Sequence, residues 1–130
     1  MSRADLVIAA VVLASILLLF LEVERNRSQF SSPEAIRKGE ELLISNLTPA
    51  QRRDFEKSGY FDVVGSSTRT NYRIRKGRFR NVFEIKTRRK RGLCFAPTGD
   101  LVAGDCMLAQ KIALENFEDE VLRTANFYDA

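Results

Sequence analysis

The sequence lacks histidine entirely, and its only cysteines are Cys94 and Cys106. Histidine is the commonest general base and metal ligand in proteins, so its absence removes the residue on which most catalytic and metal sites depend. The two cysteines form no CxxC pair, and the phosphate-binding patterns GxxxxGK(S/T) and GxGxxG are also missing. The sequence therefore predicts no enzymatic activity, no catalytic residue, no metal and no cofactor.

The remaining residues that could carry chemistry have structural explanations. Asp100, Asp105 and Glu115 are the nearest approach to a carboxylate cluster, but turn formation explains Asp100 and helix capping explains Asp105. Cys94 and Cys106 are expected to be buried free thiols, and a disulfide between them in an oxidising compartment is the alternative.

A long apolar run stands near the start of the chain. Residues 6–21 read LVIAAVVLASILLLFL, in which Ser15 alone is polar, and a helix of this length spans about 24 Å of the ~30 Å hydrocarbon core of a bilayer. A cleaved signal peptide is the alternative, but the following EVERNR has no small-x-small cleavage site. We therefore predict a transmembrane anchor over residues 1–23. The predicted membrane-anchor residues are Leu6, Val7, Ile8, Val11, Val12, Leu13, Ile16, Leu17, Leu18, Leu19, Phe20 and Leu21.

Lys and Arg residues near the two ends of this span predict its orientation. Arg3 precedes the span, whereas Arg25, Arg27, Arg37 and Lys38 follow it. Positive residues favour the cytoplasmic side of a membrane. We therefore expect a protein of the inner membrane with its N-terminus outside and the C-terminal part of the chain in the cytoplasm.

Helix-start signals divide the rest of the chain into a linker with a helix, residues 24–46, and a domain, residues 47–130. Ser31 with Glu34 makes a capping-box start for the first helix. The Thr48-Pro49-Ala50-Gln51 segment is a stronger start, and Gly59 is expected to end that helix in the left-handed conformation.

Four short segments with turn residues between them are predicted strands: residues 60–65, 71–76, 79–86 and 92–97. Alternation places Phe79, Phe83 and Ile85 on an apolar face that we expect to be core. From Cys106 to Tyr128 the apolar residues recur at helical spacing. The predicted fold class is α+β, with a single transmembrane helix followed by a small domain in which helices flank a four-stranded antiparallel sheet.

Several segments of the predicted domain resemble a small domain of uncharacterised bacterial proteins, mainly from alphaproteobacteria, and of some phage proteins. The resemblance is carried by LTPAQ, by YRI followed by G and NV, by CFAP and by GDCMLAQKIALE, and it extends from Leu47 to Tyr128. It implies a compact α+β module and implies no activity, cofactor or catalytic residue. The apolar span and the TRRKR segment are not features of that family.

Positive charge is concentrated in residues 69–91, which contain eleven Lys or Arg and one Glu, whereas residues 92–130 carry a net charge of −5. A solvated sheet face, an anionic lipid surface, nucleic acid and an acidic protein partner are all compatible with such a stretch. Alternation sends Tyr72, Phe79 and Phe83 to the face opposite most arginines, which weakens the nucleic-acid interpretation.

We therefore predict a non-enzymatic accessory or interaction subunit of a larger membrane complex that docks through a basic cytoplasmic face. A membrane-tethered protein that binds nucleic acid or anionic lipid is the alternative. The predicted contact residues are Arg73, Arg75, Arg78, Arg80, Arg88, Arg89, Lys90 and Arg91. The four from Arg88 to Arg91 are the preferred anion-binding segment, because packing requires no such run of cations.

Overall fold

The computed structural model describes residues 2–30, 32–86, 90–97 and 99–130 and, of residues 25–30, the backbone alone. The chain forms two compact units, Met1–Ser32 and Pro33–Ala130, and each is described separately below. We call the second unit the body.

The first unit contains one helix, α1 (Arg3–Phe30). Its segment Arg3–Glu24 contains an 18-residue window with a mean hydropathy of 2.9 and is long and apolar enough to cross a membrane. At 1.5 Å per residue these 22 residues extend over about 33 Å, which matches the ~30 Å hydrocarbon core. Ser15 donates a hydrogen bond from its hydroxyl to the Val11 carbonyl (2.9 Å), so the one polar side chain of the apolar run has a partner within the helix.

The body is an α+β domain with four helices and five strands among its described residues. They are α2 (Pro33–Ser45), α3 (Pro49–Ser58), β1 (Tyr60–Val64), β2 (Asn71–Arg75), β3 (Val82–Glu84), β4 (Arg91–Cys94), α4 (Ala103–Asn116), α5 (Glu118–Thr124) and β5 (Asn126–Asp129). The strands form one antiparallel sheet in the order β1-β2-β3-β4-β5. The predicted α+β class is confirmed.

The predicted count of four strands is wrong, because the chain ends in a fifth strand rather than in a continued helix. The helix α5 stops at Thr124, since Ala125 is extended (φ −70°, ψ 147°). The next residues pair with β4, so that Leu93 lies opposite Phe127 and Gly92 opposite Tyr128. The helical spacing of apolar residues up to Tyr128 was therefore misleading. The segment Asn126–Asp129 instead forms hydrogen bonds with the free edge of β4, which lies far from it in the sequence.

Helix α3 has the ends that the sequence predicts. The Thr48 hydroxyl oxygen accepts from the Gln51 backbone N–H (3.2 Å), and the Gln51 side-chain oxygen accepts from the Thr48 N–H (3.0 Å). This reciprocal capping box satisfies two of the backbone donors that a helix start leaves unpaired. Gly59 ends the helix at φ 72°, in the left-handed region that favours glycine. Ser31, the expected capping residue of α2, lies outside the described residues.

The hydrophobic core lies between the helices and one face of the sheet. A row of buried residues crosses that face from β1 to β4: Phe61, Ile74, Val82 and Leu93. Leu43 from α2 and Met107 and Leu114 from α4 pack in the same cluster. The Phe55 ring of α3 meets the Phe61 ring edge to face, with centroids 6.1 Å apart. Helix α2, which the sequence places beside the linker, thus packs in the core of the body.

Only the middle of the predicted strand 79–86 is a strand. Phe79 is 66% exposed and Ile85 is 39% exposed, so neither is a core residue, contrary to the expectation from alternation. Arg80 has a positive φ of 51°, which interrupts the extended backbone before β3 begins. Phe83 is buried, but its position in β3 places it on the sheet face opposite the core, as described next.

Candidate functional site

One row of residues crosses the sheet on the face opposite the helices. Directly opposed residues of antiparallel strands share a face, and the register aligns Asp62, Arg73, Phe83, Gly92 and Tyr128 in sequence from β1 to β5. We call the face that carries this row the outer face. The helices α3 and α4 pack on the other face through Phe55, Met107 and Leu114. Among the described residues of the body, no helix packs on the outer face.

Arg73 lies at the β1 side of the outer face, where it is already engaged within the body. Its Nε donates to Asp62 Oδ1 at 2.8 Å and its Nη2 donates to Asp62 Oδ2 at 3.1 Å, a bidentate pair. Its guanidinium carbon also lies 3.9 Å from the centre of the Tyr60 ring. These hydrogen bonds raise the pKa of Arg73. Because both of its interactions are intramolecular, Arg73 contributes less free charge to this face than its position suggests.

Phe83 lies in the middle of the outer face under two cations. The Arg75 guanidinium is 4.7 Å from the ring centre, and the Lys90 ammonium is 5.5 Å from it. Phe83 is therefore only 6% exposed even though no helix packs on this face in the described part of the body. The long side chains of Arg75 and Lys90 shield its apolar ring while their charged ends remain in solvent.

Tyr128 supports a third cation at the β5 side of the outer face. Its ring lies against the backbone of Gly92, where any side chain would overlap it. The Arg80 guanidinium lies 4.3 Å from the centre of this ring. Glycine at position 92 thus lets Tyr128 lie across β4 and hold Arg80 over the sheet.

Arg75, Arg80 and Lys90 share the properties that decide the chemistry of this face. No carboxylate of the described residues lies within ion-pair distance of any of the three, and each is exposed and held against an aromatic ring. We call these three residues the cation triad. Their charges are available to an anionic partner without breaking an internal ion pair.

The other predicted contact residues lie elsewhere or outside the described residues. Arg91 shares its sheet face with Leu93, pairs with the buried Glu84 carboxylate and lies 4.3 Å from the centre of the Phe127 ring. Arg78 projects from the β2–β3 turn and donates from Nη1 to the Leu101 carbonyl at 3.0 Å. Arg88 and Arg89 lie outside the described residues. The triad therefore contains three of the eight predicted contact residues.

Sequence reasoning missed the aromatic half of the outer face. It assigned Phe83 to the core because the residue is apolar and alternates with charged neighbours. The available signal was the pairing of β2 with β3: a register that sets Arg73 opposite Phe83 places the ring among the outward arginines. The aromatic side chains Tyr60, Phe83 and Tyr128 thus lie on the same face as the cations.

A separate polar cluster surrounds the Glu118 carboxylate on the core side of the sheet. Glu118 is fully buried, and it accepts from the Thr68 hydroxyl (2.6 Å), the Tyr72 hydroxyl (2.6 Å) and the backbone N–H groups of Ser67 (2.9 Å) and Thr68 (2.7 Å). A side chain at position 65 would overlap this carboxylate, so glycine at that position leaves room for it. The cluster fastens the β1–β2 loop to α5, and nothing in it remains free to bind a ligand.

The electrostatics of this cluster follow from its hydrogen bonds. Burial alone would raise the pKa of Glu118, but the hydrogen bonds from Thr68, Tyr72 and Ser67 outweigh it and lower the pKa to about 2. Burial and the nearby Glu118 carboxylate raise the pKa of Tyr72, so its hydroxyl remains a donor. No sequence pattern predicted this cluster, because Thr68 and Glu118 are 50 residues apart.

The residues considered for catalysis or metal binding do not converge. The Glu115 carboxylate pairs with Lys111 (2.6 Å), and Cys94 and Cys106 are free thiols. Burial raises the pKa of the Cys106 thiol, which makes it a weaker nucleophile at neutral pH. Within the described part of the chain, no group of three or more His, Cys, Asp or Glu side chains is arranged to hold a metal ion. The outer face with its cation triad is therefore the candidate functional site.

Comparison with known proteins adds no family to this description. No family model, no curated protein and no solved structure matches the chain. The resemblance drawn from the segments between Leu47 and Tyr128 stays a prediction, and the function must be argued from the anchor and the outer face.

Proposed function

We propose that this chain is a non-enzymatic, single-span membrane protein whose body docks, through the outer face, onto an acidic surface of another subunit of a membrane complex. The observation that carries this proposal is the cation triad: Arg75, Arg80 and Lys90 are exposed on one face without a carboxylate partner among the described residues. The apolar helix Arg3–Glu24 supplies the anchor.

The rings beneath the triad favour binding to a folded protein surface. Each cation lies against Phe83 or Tyr128, so its long side chain is ordered before a partner arrives. This order reduces the side-chain entropy that binding would otherwise remove. Arg is also enriched at protein interfaces, where its planar guanidinium binds carboxylates in a bidentate manner. The outer face thus offers fixed positive charges that complement a row of acidic side chains.

The proposed location is the inner membrane, with the N-terminus outside and the body in the cytoplasm. The excess of Lys and Arg after the span over those before it supports this orientation. The free thiols of Cys94 and Cys106 are consistent with a reducing compartment.

The proposal predicts that neutralising the triad releases the partner. Native isolation of the full chain in mild detergent, followed by mass spectrometry, is expected to recover stoichiometric partner subunits. At about 1 kcal/mol for each cation, at the upper end for exposed ion pairs, the variant Arg75→Gln/Arg80→Gln/Lys90→Gln should bind roughly 100-fold more weakly. Its partner recovery should fall accordingly.

A matched control has the same charge change on the helices. The variant Lys38→Gln/Arg53→Gln/Lys57→Gln removes three exposed cations of α2 and α3 and is expected to keep the partner. The variant Arg75→Lys/Arg80→Lys keeps the positive charge and should retain most of the binding. Recovery of the wild type as a lone monomer, or equal losses in the triad variant and in the control, would contradict the proposal.

A second candidate function is binding of single-stranded nucleic acid, and one observation favours it. Tyr60, Phe83 and Tyr128 lie on the same face as the arginines, which is the combination used by stacking platforms. Against it, Phe83 is covered by Arg75 and Lys90 and offers no open ring surface to a base. If this candidate is right, the detergent-solubilised chain binds a labelled oligonucleotide with an affinity that falls steeply as salt rises.

A further inference from the structure

The turn between β2 and β3 exposes an apolar ring that neither the core nor the outer face uses. Phe79 is 66% exposed at this turn, and it stands between Arg78 and Arg80, with Lys76 three residues before it. We call residues 77–80 the hairpin tip. An exposed aromatic ring bracketed by cations is the arrangement that amphipathic segments present to a membrane interface.

Hydrogen bonds hold the hairpin tip in place, so the exposure of Phe79 is a property of the folded body. Arg78 donates from Nη1 to the Leu101 carbonyl (3.0 Å), which ties the tip to the loop before α4. The Asn81 amide donates to the Arg75 carbonyl (3.0 Å) and to the Gln110 side-chain oxygen (2.8 Å), which ties the base of the turn to the core. The turn also contains Arg80 at φ 51°, a backbone conformation that residues other than glycine rarely adopt. The fold therefore presents Phe79 to solvent on a fixed turn.

The charges at the hairpin tip are complementary to an anionic lipid surface. The Arg78 guanidinium carbon lies 5.3 Å from the centre of the Phe79 ring, and Arg80 follows the ring in sequence without a carboxylate partner among the described residues. In a bilayer, the apolar ring enters the boundary between headgroups and acyl chains, while Arg and Lys side chains reach the phosphates. Carboxylates, by contrast, do not occur in the segment from Arg75 to Val82.

The anchor keeps the body close to such a surface. Eight residues separate the end of the apolar segment at Glu24 from the start of the body at Pro33. Eight residues reach at most about 30 Å when fully extended. A weak contact of the tip with lipid is therefore strengthened by a high local concentration of headgroups.

We propose that the hairpin tip is a second membrane contact, in which Phe79 inserts into the interface of an anionic phospholipid bilayer and Arg78 binds a lipid phosphate. This inference rests on the membrane anchoring stated under the proposed function. It assigns to the tip a role separate from that of the outer face, because Phe79 projects from the turn, whereas the Arg80 guanidinium lies over Tyr128 and belongs to the outer face.

The absence of tryptophan from the sequence permits a direct test. The full-length Phe79→Trp variant contains a single tryptophan, whose emission reports the polarity around the hairpin tip. The full-length Phe117→Trp variant is the matched control, because Phe117 is 60% exposed at the junction of α4 and α5 and has no neighbouring cation in sequence. Both variants are reconstituted into phosphatidylcholine vesicles with and without phosphatidylglycerol.

The proposal predicts a blue shift of the Phe79→Trp emission in vesicles that contain phosphatidylglycerol, relative to detergent solution, and quenching of that emission by brominated lipids. The shift should be smaller without phosphatidylglycerol. The Phe117→Trp emission should remain that of a solvent-exposed indole and should be quenched by acrylamide in both kinds of vesicle. Equal behaviour of the two variants would overturn the proposal.

The same preparation separates this proposal from the anchoring on which it rests. If the chain floats with the vesicles in a density gradient but the Phe79→Trp emission does not shift, the tip proposal fails and the anchoring stands. If the chain does not float, the anchoring fails, and the tip proposal fails with it. A shift caused by an oligonucleotide in detergent, and none with vesicles, would overturn the bilayer contact and assign the tip to nucleic acid.

Discussion

Replacing Glu118 with Gln is expected to lower the free energy of unfolding of the body by about 3 kcal/mol at pH 7, because hydrogen bonds to a charged group and buried donors left without an acceptor are each worth roughly 1–3 kcal/mol. Glu118 is fully buried, and its carboxylate accepts hydrogen bonds from Tyr72, Thr68 and Ser67. Glutamine retains the shape but directs an amide N–H₂ group at donors, so at least one buried donor loses its acceptor. The β1–β2 loop should then detach from α5.

The pH dependence of this effect has a definite sign. The pKa of Glu118 is about 2 in the folded body, below its ordinary value of 4.5, so the carboxylate contributes its full stability above pH 4.5. That contribution is lost as the pH falls towards 2, where the group takes up a proton in the folded state as well. The difference in stability between the wild type and Glu118→Gln should therefore be largest at neutral pH and shrink between pH 4.5 and pH 2.

Urea unfolding of the full chain in mild detergent, followed by tyrosine emission, measures this effect. Tyr60, Tyr72 and Tyr128 are the only tyrosines and all belong to the body, so α1 contributes nothing to the signal. Glu120→Gln is the matched control on α5, because Glu120 is exposed and, among the described residues, forms an ion pair with Arg123 alone, and it should change stability by less than about 1 kcal/mol. Equal changes in the two variants at pH 7 would show that the cluster around Glu118 does not stabilise the loop.

Gly104→Ala is expected to destabilise the body by roughly 2 kcal/mol, within the range for overpacked sites. Helices α2 and α4 cross at Gly39 and Gly104, and a Cβ at position 104 would overlap the carbonyl group of Gly39. A backbone cannot move aside as a flexible side chain can, so the two helices must separate. Leu43 and Met107, which pack near this crossing, would then lose contacts in the core.

The sign of this result distinguishes packing from helix propensity. Alanine is a better helix former than glycine by about 1 kcal/mol, so propensity alone predicts that Gly104→Ala stabilises α4. Ile112→Ala on the exposed side of α4 is the control and should be nearly neutral. Unfolding of both variants in urea, as above, gives the comparison. Unchanged or increased stability of Gly104→Ala would mean that the helices do not touch at this crossing.

Local chemistry made the helix ends predictable from the sequence. The Thr48 and Gln51 capping box and the Gly59 end of α3 depend on residues within a few positions of one another, and the structure contains both. Alternation likewise predicted that Tyr72 lies on the face opposite most arginines, and in β2 Tyr72 is buried whereas Arg73 and Arg75 point away from the core. In each case, the information lies within a single element.

The outer face and β5 could not be predicted in the same way, because they depend on which strands pair. Phe83 is apolar and alternates with Glu84, yet the register places Phe83 outside and the buried Glu84 on the core side with Arg91. A shift of one residue in register exchanges the two faces of a strand, and composition alone does not fix it. The cation triad was therefore predicted as part of a basic face, but its ring partners were not.

Site-specific photo-crosslinking tests the central claim, that the outer face binds a protein partner, most directly. Asn71 is exposed on β2, on the same face as Arg73 and Arg75, so a photoreactive amino acid placed there leaves the cation triad intact. The same amino acid at Arg53, exposed on α3, is the control. Irradiation of cells is expected to give a discrete, protease-sensitive adduct from position 71 and none from position 53. An adduct from position 53 alone, no adduct from either position, or an adduct from position 71 that nuclease removes would contradict the claim.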